Sequence, residues 1–168
     1  LSMTISVTGV AQGDMISGSL IAYDDCVTDG PGKYGNGEAA TMTVVKAGKL
    51  LMKGTFVTEA DYDYLTLPGD STKYGGSTPP ANGLGLNAGE TISWTTDSQD
   101  GVRSGFTLCV TPCAAGKFYL ASSKSCTDCS QGKFGTAPGL TSAVLACTGL
   151  CSQGKFGTSP GFSSDAEC

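Results

Sequence analysis

The residues of this 168-residue chain that are best suited to chemistry are its eight cysteines. They are Cys26, Cys109, Cys113, Cys126, Cys129, Cys147, Cys151 and Cys168. An even number of cysteines, concentrated in the last third of the chain, is typical of proteins that fold in an oxidising, extracellular environment. We therefore expect all of them to form disulfides, which would leave no thiolate to act as a nucleophile.

Two other uses of these cysteines were weighed. Cys126-x-x-Cys129 followed by Cys147-x-x-x-Cys151 is close to the spacing of a four-cysteine zinc site, but it leaves the flanking cysteines without a role. A thioredoxin-like role for Cys126 and Cys129 is less favoured still, because no βαβ pattern surrounds them. The sequence favours disulfides over both alternatives.

The chain contains no histidine, which excludes Ser-His-Asp triads, Cys-His dyads and most catalytic zinc sites. No Gly-x-x-x-x-Gly-Lys-Ser/Thr phosphate-binding motif is present either. A hydrolase with paired carboxylates is the remaining alternative, through Glu59 with Asp61, Asp63 or Asp97. Nothing in the sequence marks a substrate cleft, so we predict that the protein is not an enzyme.

Charge is distributed unevenly along the chain. Residues 1–109 carry a net charge of −6 and residues 110–168 a net charge of +1. No basic cluster is available to bind nucleic acid, and no apolar run is long enough to form a transmembrane helix. The acidic first part suits a divalent cation, although a solvated surface is the simpler interpretation. Because the chain begins at Leu1 without a signal-peptide pattern, we expect a removed signal peptide or a piece of a longer protein.

The last third of the chain repeats a short motif. The three copies open with Cys113-Ala-Ala-Gly-Lys-Phe, Cys129-Ser-Gln-Gly-Lys-Phe and Cys151-Ser-Gln-Gly-Lys-Phe. They define repeat 1 (113–126), repeat 2 (129–147) and repeat 3 (151–168), and the simplest pairing joins the first and last cysteine of each repeat. Such loops contribute about 3 kcal/mol each. We expect the shared glycine to adopt a positive φ. We expect the shared phenylalanine to pack on the neighbouring disulfide or repeat. The alternative is that the repeated Lys-Phe pairs bind a ligand.

The pattern Cys-x-x-Gly-x-Phe … Cys-x-x-Cys resembles the cysteine-rich repeats of ephrin-receptor-like and tumour-necrosis-factor-receptor-like ectodomains. The resemblance covers residues 113–168. It implies small disulfide-rich units with little regular secondary structure, which serve as rods, spacers or protein-binding surfaces.

Residues 1–109 show the pattern of short strands. Apolar and polar residues alternate in Met3–Val7 and Ala40–Val44, and Tyr62–Leu67 and Glu90–Thr95 are further strand candidates. Glycine-containing turns separate them, as in a β-sandwich. The segment Val45–Met52 is ambiguous between helix and strand.

Three separated motifs in this region resemble those of CUB domains. They are Asp61-Tyr-Asp-Tyr-Leu-Thr-Leu67, Ile92–Ser98 with Gly105–Cys109, and the loop Pro31–Asn36. The resemblance implies a CUB-like β-sandwich over residues 19–110. The expected architecture is therefore all-β, with an N-terminal strand segment over residues 1–18 before this sandwich and cysteine-rich repeats over residues 111–168 after it. The resemblance also implies that Cys26 and Cys109 clamp the sandwich. Ala60 or Asp61 stands where the second CUB disulfide has a cysteine, so that disulfide is absent.

The same resemblance implies a Ca²⁺ site. Asp63 and Asp97 match its two aspartates, and Glu59 is the nearest candidate for its glutamate, with Asp61 and Asp100 as possible helpers. The alternative is that Asp63 and Asp97 only cap turns through backbone hydrogen bonds. A second acidic cluster, formed by Asp24, Asp25 and Asp29, is interpreted as a solvated loop.

Two functions follow from these expectations. The first is a non-enzymatic structural subunit or repeat unit of an extracellular fibre, coat or matrix, in which Leu1–Val10 pairs between copies. The alternative is an extracellular recognition or adhesion module that binds a protein or glycan, with Ca²⁺ as cofactor and Tyr23, Tyr62 and Tyr64 as contacts. The sequence has no Asn-x-Ser/Thr site for N-linked sugars, while its many Ser and Thr residues suit O-linked sugars.

Overall fold

The computed structural model describes residues 5–8, 21–23, 25–29, 33–99, 101–153, 155 and 159–168, with only the backbone of residues 5–8 and 21–23. The strands there are β1 (Ile5–Thr8), β2 (Ile21–Tyr23), β3 (Cys26–Thr28), β4 (Ala39–Val44), β5 (Gly48–Val57), β6 (Tyr64–Thr66), β7 (Lys73–Gly75), β8 (Gly85–Leu86), β9 (Thr91–Thr95), β10 (Gly105–Thr111), β11 (Lys117–Leu120), β12 (Ser125–Asp128), β13 (Lys133–Phe134) and β14 (Gly149–Leu150). The helices are α1 (Ala143–Ala146) and the 3₁₀-helix η1 (Asp165–Glu167). Within these ranges no helix has the length and apolarity needed to cross a membrane.

Ten of the strands form two five-stranded antiparallel sheets that share one hydrophobic core. The first sheet has the order β1-β4-β9-β6-β7 and the second the order β2-β3-β10-β5-β8. The alternation predicted for β4 is observed, since Met42 and Val44 are buried and Thr43 between them is partly exposed. The all-β, disulfide-rich fold class is confirmed.

Trp94 of β9 occupies the centre of this core and is fully buried. Its ring makes edge-on contacts with Tyr34 at 5.2 Å and with Phe106 of β10 at 5.0 Å, measured between ring centroids. Tyr34 belongs to the loop before β4, and Phe106 belongs to the opposite sheet. Trp94 therefore packs against both the opposite sheet and the loop before β4. Each edge-on aromatic pair of this kind stabilises the fold by about 1 kcal/mol beyond the burial of apolar area.

Strand predictions agree with the structure at β6 and β9, but the ambiguous segment Val45–Met52 is extended rather than helical. It contains the start of β5, which lies between β10 and β8 and gains hydrogen bonds on both sides.

In the N-terminal segment, β1 pairs with β4 of the same chain, with Ile5 opposite Val44. The described part of residues 1–18 thus lies at the edge of the sandwich, and pairing between copies stays a prediction.

All eight cysteines form disulfides, in the pairing that the sequence predicted. The bonds are Cys26–Cys109, Cys113–Cys126, Cys129–Cys147 and Cys151–Cys168. The first joins opposite residues of β3 and β10 across a separation of 83 residues. A disulfide that closes a loop of that length raises the free energy of unfolding by about 4 to 5 kcal/mol, because it lowers the entropy of the unfolded chain. With no free cysteine remaining, the zinc and thioredoxin-like alternatives are excluded.

Asp29, which follows β3, is buried and does not belong to a solvated loop, so that interpretation was wrong for this residue. Its Oδ1 accepts a hydrogen bond from the backbone N–H of Phe106 at 3.1 Å, while Oδ2 has no partner in the described structure. Burial raises the pKa of Asp29 to about 6, and the nearby Glu38 carboxylate adds to the shift. Asp25 is partly exposed, and Asp24 lies outside the described residues.

The repeats stack on one another through the same backbone joint, which occurs twice. Between repeats 1 and 2 the hydrogen bonds run from Tyr119 N to Leu140 O, from Gly139 N to Cys113 O and from Cys129 N to Gly116 O. Between repeats 2 and 3 they run from Gly135 N to Phe162 O, from Gly161 N to Cys129 O and from Cys151 N to Gly132 O. Each residue of the second joint stands at the position of its counterpart in the first. The stacking is therefore a property of the repeat and not of one particular pair.

Repeat 1 is in turn anchored on the sandwich. Lys49 of β5 donates from Nζ to the carbonyl of Lys124 at 2.9 Å, and Lys124 pairs with Glu90 at 2.6 Å. Tyr119 and Cys113 pack against Ala47 in a small separate core. The sandwich and the described part of the repeats consequently form one continuous packed structure.

The shared aromatic residue of repeat 1 packs against the neighbouring repeat, as expected. Phe118 of repeat 1 contacts the buried Cys129–Cys147 disulfide of repeat 2. Phe134 of repeat 2 pairs through its backbone with Phe162 of repeat 3. The third aromatic, Phe156, lies outside the described residues. Gly116 and Gly132 have φ values of +79° and +76°, which confirms their predicted role in turns.

Two equivalent glycines allow the joint to be tested. A methyl group on Gly132 meets no atom within 4 Å, whereas one on Gly116 would overlap the carbonyl oxygens of Gly161 and Phe162. Both Gly→Ala changes add backbone strain of about 1 kcal/mol, but only Gly116→Ala also forces repeat 3 away from repeat 1. Hydrogen exchange at the Gly161 amide should accelerate in Gly116→Ala and stay near the wild-type rate in Gly132→Ala. Equal rates in the two variants would contradict the stacked arrangement.

The buried carboxylate predicts a specific pH dependence. Because the folded state binds the Asp29 proton more tightly than the unfolded state, Asp29 lowers the free energy of unfolding as pH rises from about 4 to about 6. Two pKa units correspond to about 3 kcal/mol. In Asp29→Asn this contribution is absent, so urea denaturation should show the variant gaining stability relative to wild type between pH 4 and pH 7. Asp25→Asn, which removes a partly exposed charge nearby, is the control; a pH-independent difference for Asp29→Asn would refute the assignment.

Candidate metal centre

The candidate metal centre is built around Asp63, whose side chain is buried at 2% exposure. Asp63 directly precedes β6, and its backbone is fixed on both sides. Its N–H donates to the carbonyl of Glu59 at 3.1 Å, and its carbonyl accepts from the Thr58 hydroxyl at 2.9 Å. The turn between β5 and β6 therefore holds this carboxylate in one orientation.

Each oxygen of the Asp63 carboxylate accepts one hydrogen bond. Oδ2 accepts from the Tyr34 hydroxyl at 2.5 Å, and Oδ1 accepts from the backbone N–H of Asp97 at 3.0 Å. The Tyr34 oxygen in turn accepts from the backbone N–H of Glu59 at 2.8 Å. Burial, together with the hydrogen bond to Asp63, raises the pKa of Tyr34, so this hydroxyl stays protonated and donates. Each Asp63 oxygen keeps a further lone pair for another ligand.

Three carboxylates converge at this point from two loops. Glu59 and Asp63 come from the β5–β6 turn, and Asp97 comes from the loop after β9. One ligand oxygen from each lies within 4.8 Å of the other two. The side chain of Asp97 also accepts from the Gln99 backbone N–H at 2.9 Å, so its turn-capping role and its place in the triad coexist.

The set of oxygens fits a hard divalent cation. Three carboxylates at this distance repel one another unless a cation or protons compensate their charge, and no ion pair among the described residues includes them. Oε2 of Glu59 is buried without a hydrogen-bond partner in this part of the structure. Gly101 lies against the same carboxylate, where any larger side chain would overlap it. Carboxylates from separate loops are the ligands that Ca²⁺ prefers.

No protein-family model, curated protein or solved structure matches this chain. The argument for a site therefore rests on the geometry of the described residues. Glu59, Asp63 and Asp97 are the three residues that the CUB resemblance implied as ligands, and the fold brings all three together.

The other residues predicted to belong to this region are arranged around the triad. Asp61 is exposed, at a positive φ of +69°, and lines a neighbouring cavity of about 400 Å³ without entering the triad. Tyr64 lines the same cavity, with Lys73 Nζ 4.1 Å from its ring centroid. Tyr62 is 57% exposed. Asp100 lies outside the described residues, and Tyr23 is described only as part of the β2 backbone.

Two residues that shape the site were not identified as functional from the sequence. Tyr34 orients Asp63, and its position in the Pro31–Asn36 motif was the available signal. Glu38 accepts from Trp94 Nε1 at 3.1 Å and from the Gly35 N–H at 3.0 Å, which holds the Tyr34 loop against the core. Burial raises the pKa of Glu38, and the Asp63 charge contributes. A glutamate that holds a loop by these contacts has no distinguishing pattern in sequence.

The site predicts stabilisation by Ca²⁺. A ligand that binds only the folded state at 100 times its Kd raises the free energy of unfolding by about 2.7 kcal/mol. We expect this gain in stability for the wild type. Asp97→Asn should bind Ca²⁺ at least ~10-fold more weakly than the wild type, as measured by calorimetric titration. Asp61→Asn removes the same charge beside the triad and should bind Ca²⁺ as the wild type does. A Ca²⁺ affinity that is unchanged in Asp97→Asn would remove the triad from consideration.

Proposed function

We propose that this protein is a non-enzymatic, extracellular recognition module in which a CUB-like sandwich binds Ca²⁺ and presents a ligand-binding surface. The observation that carries the proposal is the convergence of Glu59, Asp63 and Asp97 around one buried carboxylate. The four disulfides fit an oxidising compartment, which supports the extracellular assignment.

The surface beside the triad has the character of a binding site for a protein or glycan. An exposed tyrosine, Tyr62, lies next to the cavity that Asp61, Tyr64 and Lys73 line. Aromatic rings with polar groups around them are enriched at recognition surfaces. A cation held by the triad would fix the β5–β6 turn that carries Asp61, Tyr62 and Asp63, and binding would then depend on Ca²⁺.

The repeats serve this function as a spacer. Because repeat 1 is anchored to the sandwich and the repeat joint recurs, the repeats hold the sandwich at a defined distance and orientation. This arrangement suits a module that presents its ligand surface away from an attachment point.

The full chain can be tested for binding to an array of glycans and extracellular-matrix proteins, in Ca²⁺ and after chelation. We expect binding that chelation abolishes, that Asp97→Asn weakens by at least ~10-fold and that Asp61→Asn weakens without changing Ca²⁺ affinity. Binding that is indifferent to chelation and to Asp97→Asn would refute the role of the triad in recognition.

A structural role in a fibre, coat or matrix is the second candidate, and the position of β1 favours it. β1 is an edge strand that pairs with β4 alone among the described strands, so the β1 of another copy can pair with β4 in its place. Electron microscopy of the non-reduced protein tests this idea. Regular filaments that disappear when residues 1–10 are deleted would favour the fibre, whereas monomers in both proteins would exclude it.

A further inference from the structure

Repeats 2 and 3 share the backbone joint described above, but one of the positions at which their side chains differ is that of Ala143 and Asp165. Ser130, Lys133 and Ala143 of repeat 2 correspond to Ser152, Lys155 and Asp165 of repeat 3, each 22 positions later. The equivalence is structural as well, because Ser142 and Ser164 are the N-caps of α1 and η1 with similar extended dihedral angles. The shared repeat joint supports the same alignment.

In repeat 3 the aspartate fills a carboxylate-binding site of the repeat itself. Asp165 accepts from the backbone N–H of Ser152 at 2.7 Å and from its hydroxyl at 2.8 Å, and it pairs with Lys155 at 2.9 Å. These hydrogen bonds, that of the Ser152 N–H foremost, lower the pKa of Asp165 to about 2. The serine and lysine of the motif Cys-Ser-Gln-Gly-Lys thus form a receptor for one carboxylate.

In repeat 2 the same receptor lacks its internal carboxylate, because Ala143 stands at the position of Asp165. A cavity of about 220 Å³ lies there instead, lined by Ser130, Lys133, Ala143, Val144 and Cys147. No hydrogen bond or ion pair of the described residues involves the Ser130 hydroxyl or the Lys133 ammonium. By contrast, the corresponding lysine of repeat 1, Lys117, is paired with Asp128.

One lining residue of this cavity, Val144, is apolar and exposed, and so is the next residue of α1, Leu145. Val144 and Leu145 of α1 are 83% and 61% exposed, and Leu145 replaces Glu167 of repeat 3. An isolated carboxylate would not use these side chains, whereas a peptide with apolar residues beside an aspartate would cover them.

We propose that the cavity at Ser130, Lys133 and Ala143 is a binding site for an aspartate side chain of a partner protein, presented with apolar neighbours. Ser130 and Lys133 bind the carboxylate as Ser152 and Lys155 bind Asp165. Val144 and Leu145 contact the flanking apolar residues. The site lies in the repeats, so it is separate from the metal centre and does not depend on the proposed function of the sandwich.

The test uses the full chain and the peptide acetyl-Leu-Asp-Leu-amide, with binding followed by the NMR shift of the Ser130 amide. We expect a saturable shift in the millimolar range, as suits one exposed ion pair with apolar flanks. The shift should be absent with acetyl-Leu-Asn-Leu-amide. It should also be lost in Lys133→Gln but retained in Lys46→Gln, which removes an exposed lysine elsewhere.

Two further variants move the internal carboxylate between the repeats. Ala143→Asp supplies an internal carboxylate, so it should raise the thermal stability and abolish peptide binding. Asp165→Ala empties the receptor of repeat 3, so the Ser152 amide should acquire a saturable shift with the same peptide. Absence of a saturable shift at Ser130 in the wild type, or binding that survives in Ala143→Asp, would overturn the proposal.

Discussion

The hydrogen bond from the Tyr34 hydroxyl to the Asp63 carboxylate connects the hydrophobic core of this protein to its candidate metal centre. Tyr34 packs edge-on against Trp94, which is the side chain on which both sheets converge. The orientation of a carboxylate that faces the surface loops is thus set by the packing of the core. Removing this contact would leave a buried charge with fewer partners, which is far more costly than losing an exposed hydrogen bond.

Buried and half-buried carboxylates recur in this sandwich, and each is stabilised by different partners. Asp63 accepts two hydrogen bonds and keeps lone pairs for a cation, Glu38 accepts from an indole and a backbone N–H, and Asp29 has one oxygen without a described partner. Because desolvation penalises the charged form, burial raises the pKa values of Asp29 and Glu38. Of the three, Asp63 is the one that lies beside two further carboxylates, those of Glu59 and Asp97, as a metal site requires.

The repeats illustrate how a backbone-defined structure leaves its side chains free to change. Their folding depends on disulfides and on hydrogen bonds between main-chain groups, as in the three-bond joint that occurs twice. The side chains at position 143 and at its counterpart, position 165, do not contribute to that joint. The repeat with alanine at this position keeps the same joint and has a cavity beside its serine and lysine.

The sequence by itself determined the β-rich class, because the alternation of apolar and polar residues is a local pattern. Repeat spacing predicted the disulfide pairing that the structure has, and the CUB resemblance pointed to three carboxylates that the fold brings together. The sequence did not determine the burial of Asp29, which depends on a backbone N–H 77 residues away, or the role of Glu38, which depends on Trp94 in another strand. Only the tertiary structure decided these features and the equivalence of the two repeat joints. The physical reason is that the cost of a charge, and the partner of a main-chain group, depend on which distant segments surround it in space.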